Sequence, residues 1–263
     1  MEFETLKLEI ADGAATITLN RPDRLNALSF QLLAELHRAM RIVAAAVPKR
    51  EARALLITGA GRGFCSGADL TAPRPNDPQD PKESLRDYFL PPVHILKNIG
   101  IPTIAAVNGV AAGAGMSLAL SCDIVVAARS ASFLSAFVNI GLVPDVGASW
   151  LLPQALGDAR SAGMMLLGEK LPAEKAAEWG LIWKCVEDDQ LMTEAGAMLK
   201  KFAAGAGMSY SRIKQLMRAA PQNTLPLQIQ MESEFQAVLR DSEDAQEARK
   251  AFADKRPPVF KGR

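Results

Sequence analysis

Residues 102–128, PTIAAVNGVAAGAGMSLALSCDIVVAA, carry the strongest indication of the fold. This stretch holds the most apolar run of the chain, Thr103 to Ala128, but polar residues and glycines interrupt that run at Asn108, Gly109, Gly113, Gly115, Ser117, Ser121 and Asp123. A membrane-spanning helix needs about 20 mostly apolar residues, and these interruptions argue against one. The pattern instead predicts a buried strand, a glycine-rich turn, a short buried helix and a second buried strand.

Strand-like and helical patterns alternate on the N-terminal side of this stretch. Leu6–Ile10 alternates apolar and polar residues, Ala15–Leu19 is rich in β-branched residues, and Ala54–Thr58 is typical of a buried strand. Between them, apolar residues recur at helical spacing over Phe30–Ala46, with Ser29 as the predicted N-cap. Alternation of strand and helix predicts an α/β core with crossover connections.

The C-terminal third is predicted to be mostly helical. A proline-rich loop over Ala72–Glu83 and a short helix over Ser84–Leu90 come first, and Pro91 with Pro92 then favours a new helix start. Further helices are predicted over Ala155–Leu167, Ala173–Trp179, Leu191–Ala204, Ser209–Ala219, Leu227–Leu239 and Ser242–Phe252.

Composition excludes several classes of function. The chain has 263 residues, 30 Lys and Arg against 29 Asp and Glu, and a net charge of +1, which argues against a nucleic-acid surface or a polybasic membrane anchor. Its three cysteines form no CxxC pair, which fits a reducing compartment and predicts neither a disulfide framework nor a zinc site. The start MEFETLKLEI lacks the features of a signal peptide, so a cytoplasmic protein is expected.

Two turns of small residues follow predicted buried strands. They are GFCSGADL at residues 63–70 and NGVAAGAG at residues 108–115. Small residues let the backbone approach a ligand closely, and amides at the start of a helix suit negative charge. If the two turns meet, two backbone amides can bind a developing oxyanion. For either turn alone the residues favour tight packing, and the oxyanion alternative stays open.

Asp145 stands in IGLVPDVG, residues 140–147, just before a helix predicted to begin near Gly147. The residue type favours an N-cap; the alternative is a carboxylate in an apolar pocket, with its pKa raised toward that of a working base. His37 and His94 lie in helical patterns and are predicted to be surface or core-edge residues. The sequence has no Walker loop, GxGxxG, HExxH or GxSxG motif, and no cofactor or metal is expected.

Taken together, these stretches resemble the crotonase (enoyl-CoA hydratase/isomerase) superfamily. The resemblance spans nearly the whole chain and is carried by residues 20–22 (NRP), 26–29 (NALS), 57–70, 102–128, 140–153 (IGLVPDVGASWLLP) and 256–262 (RPPVFKG). It implies a spiral of ββα units as a crotonase-like core over residues 1–195 and a helical oligomerisation region over residues 196–263. It also implies a homotrimer or dimer of trimers with an acyl-coenzyme A thioester as substrate.

The resemblance also implies roles for individual residues. The backbone N–H groups of Ala68 and Ala114 would bind the thioester oxygen, and Asp145 would be the catalytic acid or base. The implied coenzyme A contacts are Arg24 at the phosphates, Ser66, Ala68, Asp69 and Leu70 around adenine and pantetheine, and Phe260 and Lys261 reaching a neighbouring subunit's coenzyme A. For Arg24 and Lys261 a solvated surface charge is an equal alternative.

Departures from the family pattern bear on the reaction. The family's hydratases use two glutamates to add water, and by motif position these would fall at Ser117 and Phe137, where neither residue is acidic. The resemblance is greatest to the isomerases of phenylacetate degradation that act on ring-1,2-epoxyphenylacetyl-CoA, so an isomerase working through a thioester enolate is predicted. The alternatives are an enoyl-CoA hydratase-like enzyme, an enzyme like 4-chlorobenzoyl-CoA dehalogenase with His94 in support, and a non-catalytic acyl-CoA binder.

Overall fold

The computed structural model describes residues 2–72 and 85–263. These form two sheets. The larger contains β1 (Leu6–Ala11), β2 (Gly13–Leu19), β3 (Ala52–Gly59), β5 (Thr103–Val107), β7 (Ile124–Ala128) and β10 (Lys184–Val186), in the order β1-β2-β3-β5-β7-β10. The smaller contains β4 (Gly63–Cys65), β6 (Val110–Ala112), β8 (Ser132–Leu134) and β9 (Lys170–Pro172), in the order β4-β6-β8-β9.

β1 and β2 both lie in the larger sheet, and from β3 to β8 each successive pair of strands then places one strand in each sheet. β3, β5 and β7 are parallel neighbours in the larger sheet, and β4, β6 and β8, which follow them in the chain, are parallel neighbours in the smaller one. Only β1 with β2 and β8 with β9 pair antiparallel among the described strands. This repetition is the predicted spiral of ββα units, and the predicted α/β class is confirmed.

The helices of the described residues are α1 (Phe30–Ala46), α2 (Leu90–Asn98), α3 (Ala114–Leu120), α4 (Ala148–Leu167), α5 (Ala173–Glu178), α6 (Leu191–Ala203), α7 (Gly207–Ala219), α8 (Leu225–Arg240) and α9 (Glu243–Ala253). Ser29 caps α1 as predicted, because its Oγ accepts from the Leu32 amide at 3.2 Å. None of the described helices is long and apolar enough to cross a bilayer.

Two local predictions differ in detail from the structure, and a third falls on residues that the structure does not describe. A π-helical turn over Leu85–Phe89 runs into α2, which carries the two prolines in its first turn. The helix predicted to begin near Gly147 begins at Ala148, but it continues into the predicted helix Ala155–Leu167 as one element, α4, which non-helical backbone at Gly157 (φ 71°) interrupts. Apart from Ala72, the predicted loop Ala72–Glu83 lies outside the described residues.

Helix α6 runs across the boundary drawn between residues 195 and 196. Its buried side chains include Leu191, Ala195 and Leu199, and it packs against β3 and β5 of the larger sheet. The predicted boundary at residue 195 therefore falls inside a helix that packs on the larger sheet, and the role of residues 196–263 in oligomerisation stays a prediction.

An ion pair between buried Lys214 and Asp123, whose side chain is 29% exposed, attaches the C-terminal helices to this sheet. Lys214 on α7 is 7% exposed, and its Nζ donates to the Ile101 carbonyl at 2.7 Å and pairs with Asp123 Oδ2 at 2.6 Å. The same carboxylate oxygen accepts from the Thr103 amide and hydroxyl, both at 2.8 Å. Burial lowers the pKa of Lys214, and the attraction of Asp123 opposes that effect.

Replacing Lys214 with methionine should lower the free energy of unfolding by about 1–3 kcal/mol, because the buried Ile101 carbonyl loses its charged donor and Asp123 loses its counter-charge. The matched control is Lys184→Met. Lys184 pairs with Glu194 at 2.9 Å, but both side chains are about 40% exposed, at 44% and 39%. That change should cost about 1 kcal/mol or less. Urea unfolding of both variants measures the difference, and equal losses would contradict the assigned role of burial.

Candidate active site

The turn that follows β4 is held by Leu28. The Leu28 amide donates to the Gly67 carbonyl at 2.7 Å, and the Asp69 amide donates to the Leu28 carbonyl at 3.1 Å. In a parallel pairing of this kind the residue between the two bonded groups directs its own N–H and C=O away from the partner. The Ala68 amide accordingly has no hydrogen-bond acceptor among the described residues.

The turn that precedes α3 presents a second amide. The Gly113 amide donates to the Leu134 carbonyl at 2.9 Å, and Gly113 has φ 51° and ψ −127°, a conformation suited to glycine. Ala114 is the first residue of α3, where an amide lacks an intrahelical acceptor. No other acceptor for it lies in the described parts of the chain.

The two turns meet at their glycines. A Cβ placed on Gly67 (φ 100°) would lie 2.9 Å from the Ala112 oxygen and 3.8 Å from the Ala114 nitrogen. A Cβ on Gly113 would lie 4.0 Å from the Gly67 Cα. The amides of Ala68 and Ala114, each next to one of these glycines, therefore belong to one site.

Two residues to which the sequence assigned no role hold the first turn. Asn26 is fully buried with φ 55°, and its Nδ2 donates to the carbonyls of Gly63 at 2.8 Å and Ala60 at 3.0 Å. Arg21 pairs with Asp69 Oδ2 at 2.9 Å. Asparagine adopts left-handed backbone more readily than most residues, so Asn26 could have been predicted to lie in a turn. That pattern does not indicate which distant carbonyls its side chain binds.

Asp69, an expected coenzyme A contact, is engaged within the chain. Its Oδ1 accepts from the Thr71 hydroxyl at 2.8 Å and amide at 3.1 Å, and its Oδ2 from Arg21. Burial tends to raise the pKa of Asp69, but the hydrogen bonds from Thr71 and Arg21 outweigh it and hold the pKa below its ordinary value. The Arg21–Asp69 ion pair and the two hydrogen bonds from Thr71 therefore stabilise the turn that presents Ala68.

Asp145 lies against the start of α3. Its carbonyl accepts from the Ala148 amide at 3.0 Å and from the Ser117 hydroxyl at 3.2 Å, and Ser117 sits one turn beyond Gly113. Its carboxylate Oδ1 is buried and has no partner among the described residues. Burial raises the pKa of Asp145 from 3.8 to about 6, and it is the one described carboxyl whose pKa is raised.

The N-cap interpretation of Asp145 is wrong. The residue that caps α4 is Gly147, with φ 85°, and no side chain accepts from the first turn of that helix. The Ala148 amide bonds to the main-chain carbonyl of Asp145, which leaves the carboxylate free for another purpose. Val146 and Gly147 both adopt left-handed backbone, and this carries Asp145 away from the capping position.

Neither expected glutamate position brings a second carboxylate to Asp145. Ser117 is fully buried and contacts Asp145 only through its hydroxyl. Phe137 is 6% exposed, and its Cζ would lie 3.8 Å from a Cβ on Gly113. Four residues therefore lie close together, namely Gly113, Ser117, Phe137 and Asp145. Asp145 is the acidic residue among them.

The other predicted coenzyme A contacts fall into two places. Arg24, Ser66 and Leu70 lie at the surface around the Ala68 turn, and Ser66 Oγ donates to the Arg24 carbonyl at 3.4 Å. Phe260 and Lys261 lie elsewhere: the Phe260 carbonyl accepts from Arg53, near the start of β3, at 3.2 Å, and the Lys261 amide donates to Asp244 at 2.7 Å. Arg53 lies at the N-terminal end of β3, whereas the Ala68 and Ala114 turns follow the C-terminal ends of β4 and β6. Phe260 and Lys261 therefore do not lie at these turns of the same chain.

The two histidines lie on separate helices. His94 is exposed on α2, and His37 is partly buried on α1. No group of three or more His, Cys, Asp or Glu side chains among the described residues is arranged to hold a metal ion.

The whole chain has known counterparts. A family model described as "Enoyl-CoA hydratase/isomerase" matches residues 9–263. A 1,2-epoxyphenylacetyl-CoA isomerase from Escherichia coli (strain K12) is 43% identical and a probable enoyl-CoA hydratase from Rhodobacter capsulatus is 42% identical, each match covering 100% of both chains. A solved structure from Mycobacterium abscessus matches with a TM-score of 0.93 and 32% identity, over 98% of this chain and 100% of that one.

Proposed function

The chain belongs to the enoyl-CoA hydratase/isomerase family, and on that premise we propose that it is an acyl-CoA isomerase in which Asp145 moves a proton from one carbon to another. The observation that carries the proposal is the environment of Asp145. A half-buried carboxylate with one buried, unpartnered oxygen and a pKa of about 6 can both take and return a proton near neutral pH. Serine and phenylalanine, where the family's hydratases place glutamates, leave no second carboxylate at positions 117 and 137 to hold a water.

The two free amides suit the intermediate of this reaction. With a 3-enoyl thioester, Asp145 takes the proton from C2, and the electron pair moves into a dienolate whose negative charge rests on the thioester oxygen. The amides of Ala68 and Ala114 donate to that oxygen, and one such donor is worth about 3–4 kcal/mol of barrier by analogy with measured oxyanion sites. Asp145 then returns the proton to C4, and a 2-enoyl thioester leaves with every atom retained.

The coenzyme A part of the substrate would lie over the surface turn at Ala68. Arg24 supplies a cation for the phosphates, while Ser66 and Leu70 line the approach of the pantetheine. Phe260 and Lys261 would contact the coenzyme A bound by a neighbouring copy in a homotrimer or a dimer of trimers. Their distance from the chain's own turns supports that assignment.

The acyl group we propose is the epoxide of an aromatic acetyl thioester, 2-(1,2-epoxy-1,2-dihydrophenyl)acetyl-CoA. The E. coli relative named for that substrate class is 43% identical over the full chain. In this substrate the bond between the two epoxide carbons breaks to give a seven-membered oxepin. The proton removed from C2 of the side chain returns to a ring carbon, so the atoms again balance.

Hydration is the second candidate, because the R. capsulatus relative is named a probable enoyl-CoA hydratase. The deciding experiment incubates the purified protein with 3-enoyl-, 2-enoyl- and epoxyarylacetyl-CoA thioesters in deuterium oxide and identifies the products by mass. Isomers carrying deuterium at C2 or C4 support the proposal. A 3-hydroxyacyl-CoA as main product would instead support a hydratase, and tight binding without exchange a non-catalytic binder.

The pH dependence of the reaction should follow Asp145. The base must be ionised to accept the C2 proton, so kcat/KM should fall as pH is lowered through about 6, with a slope of one proton. Initial rates with a 3-enoyl-CoA between pH 4.5 and 8.5 measure this limb. A limb near the ordinary carboxyl value of 3.8 would contradict the buried, unpaired state of Asp145.

A further inference from the structure

The peptide between Asp145 and Val146 is held in an uncommon conformation. Val146 is buried at 5% exposure and has φ 52°, in the left-handed region that a β-branched side chain rarely adopts. Such a residue persists only where its surroundings enforce it. The orientation of this peptide sets both the φ of Val146 and the direction in which the Asp145 side chain leaves the backbone.

Ser117 holds that peptide from α3. Its Oγ lies 3.2 Å from the Asp145 carbonyl oxygen and 3.3 Å from the Gly113 carbonyl oxygen. Ser117 is fully buried, so water does not compete for its hydroxyl. The hydroxyl therefore bridges the carbonyl that immediately precedes Val146 and the turn that presents the Ala114 amide.

We propose that Ser117 is a positioning residue, whose hydroxyl locks the Asp145–Val146 peptide so that the Asp145 carboxylate is fixed relative to the Ala114 amide. The proposal rests on the proposed function, because it assigns how the base is aimed. The first turn of α3 and the 3-10 turn Ala136–Ile140 bring no ionisable side chain to Asp145. Among the described residues no charged group contributes to its pKa shift either, so burial and main-chain geometry control its state.

Helix α3 offers a matched control one turn further on. Ser121 is also fully buried, and its Oγ donates to the Ser117 carbonyl at 2.7 Å. Ser121 and Ser117 thus both donate to the carbonyl four residues earlier, but only Ser117 also reaches Asp145. Alanine at either position removes one buried hydroxyl from the same helix.

The test compares Ser117→Ala and Ser121→Ala in the isomerisation of a 3-enoyl-CoA. Ser117→Ala should lower kcat about tenfold with KM changed less than about twofold, because misplacing a catalytic group raises the barrier without weakening thioester binding. Its acidic limb should also move below pH 6, since a released carboxylate gains solvent and its pKa falls toward the ordinary value. Ser121→Ala should keep kcat and the limb of the parent protein.

Two further variants keep the test decisive if Ser117→Ala does not fold. Ser117→Thr keeps a hydroxyl and should retain activity, whereas Ser117→Cys keeps the volume with a weak donor and should lose it. Equal kinetics and equal acidic limbs for the Ser117 and Ser121 variants would overturn the positioning role. If Asp145→Asn retained full activity, the proposed function would fail first, and the two failures are thereby distinguished.

Discussion

Replacing Asp145 with asparagine is expected to lower kcat for 3-enoyl-CoA isomerisation by about 10³–10⁴-fold and to leave KM nearly unchanged. Asparagine fills the same volume but cannot accept the C2 proton or return it. Thioester binding at the Ala68 and Ala114 amides would remain. Stopped-flow or steady-state absorbance of the 2-enoyl product measures the loss.

The same variant has a distinct stability signature. Burial raises the pKa of Asp145 from 3.8 in the unfolded chain to about 6 in the folded one, so between these values the folded protein binds more protons. The contribution of Asp145 to the free energy of unfolding therefore falls as pH rises from about 4 to about 6, and Asp145→Asn removes that contribution. At pH 7 the variant should be at least as stable as its parent, so its inactivity would not reflect unfolding.

A folded Asp145→Asn protein with most of its activity would remove this carboxylate from the mechanism. The comparison is made at pH 7 and with the unfolding curve of each protein in hand. Deuterium exchange at C2 of a saturated acyl-CoA separates proton abstraction from the later steps. Retained exchange with lost isomerisation would limit Asp145 to the return of the proton.

Replacing Ala114 with proline is expected to lower kcat by about 10²–10³-fold, because it deletes one of the two proposed oxyanion donors. Ala114 is the first residue of α3, where proline is compatible with helix geometry and where the lost N–H has no partner within the helix. Gly113 already has the extended backbone that a following proline requires, in its mirror-image form (φ 51°, ψ −127°).

The control at this position is Ala114→Gly. It keeps the amide and removes only a methyl group, so activity should stay within about threefold of the parent, with a helix-propensity cost of roughly 1 kcal/mol in stability. Circular dichroism and thermal unfolding establish that the proline variant is folded. Unchanged turnover in a folded Ala114→Pro protein would exclude this amide from the reaction.

Local sequence patterns were sufficient to predict most of the strands, helices and turns. The alternation over Leu6–Ile10, the helical spacing over Phe30–Ala46 and the small-residue turns each specify structure through nearby residues, and the structure has β1, α1 and the two turns there. The start of α4 was also placed to within a residue, near Gly147, but the sequence predicted a separate helix over Ala155–Leu167 where the structure has one element with non-helical backbone at Gly157.

The candidate site depended on contacts between distant residues. The sequence alone favoured an N-cap for Asp145, because capping is the commonest use of aspartate before a helix. That interpretation failed because Val146 and Gly147 turn the chain before α4 and the carboxylate enters a buried region instead. The Arg21–Asp69 ion pair joins residues 48 positions apart, and no local pattern in the sequence predicts it.

Residue type and spacing alone predict the alternation of strands and helices and the two glycine turns, and they show that positions 117 and 137 carry no carboxylate. Three features emerged only from the folded chain: Gly67 and Gly113 approach closely, Ser117 reaches a carbonyl 28 residues away, and one carboxylate oxygen of Asp145 is buried without a partner. The reason is physical: a carboxylate's affinity for a proton depends on the water and dipoles around it. The groups around Asp145 come from segments of the chain that are brought together only when the protein folds.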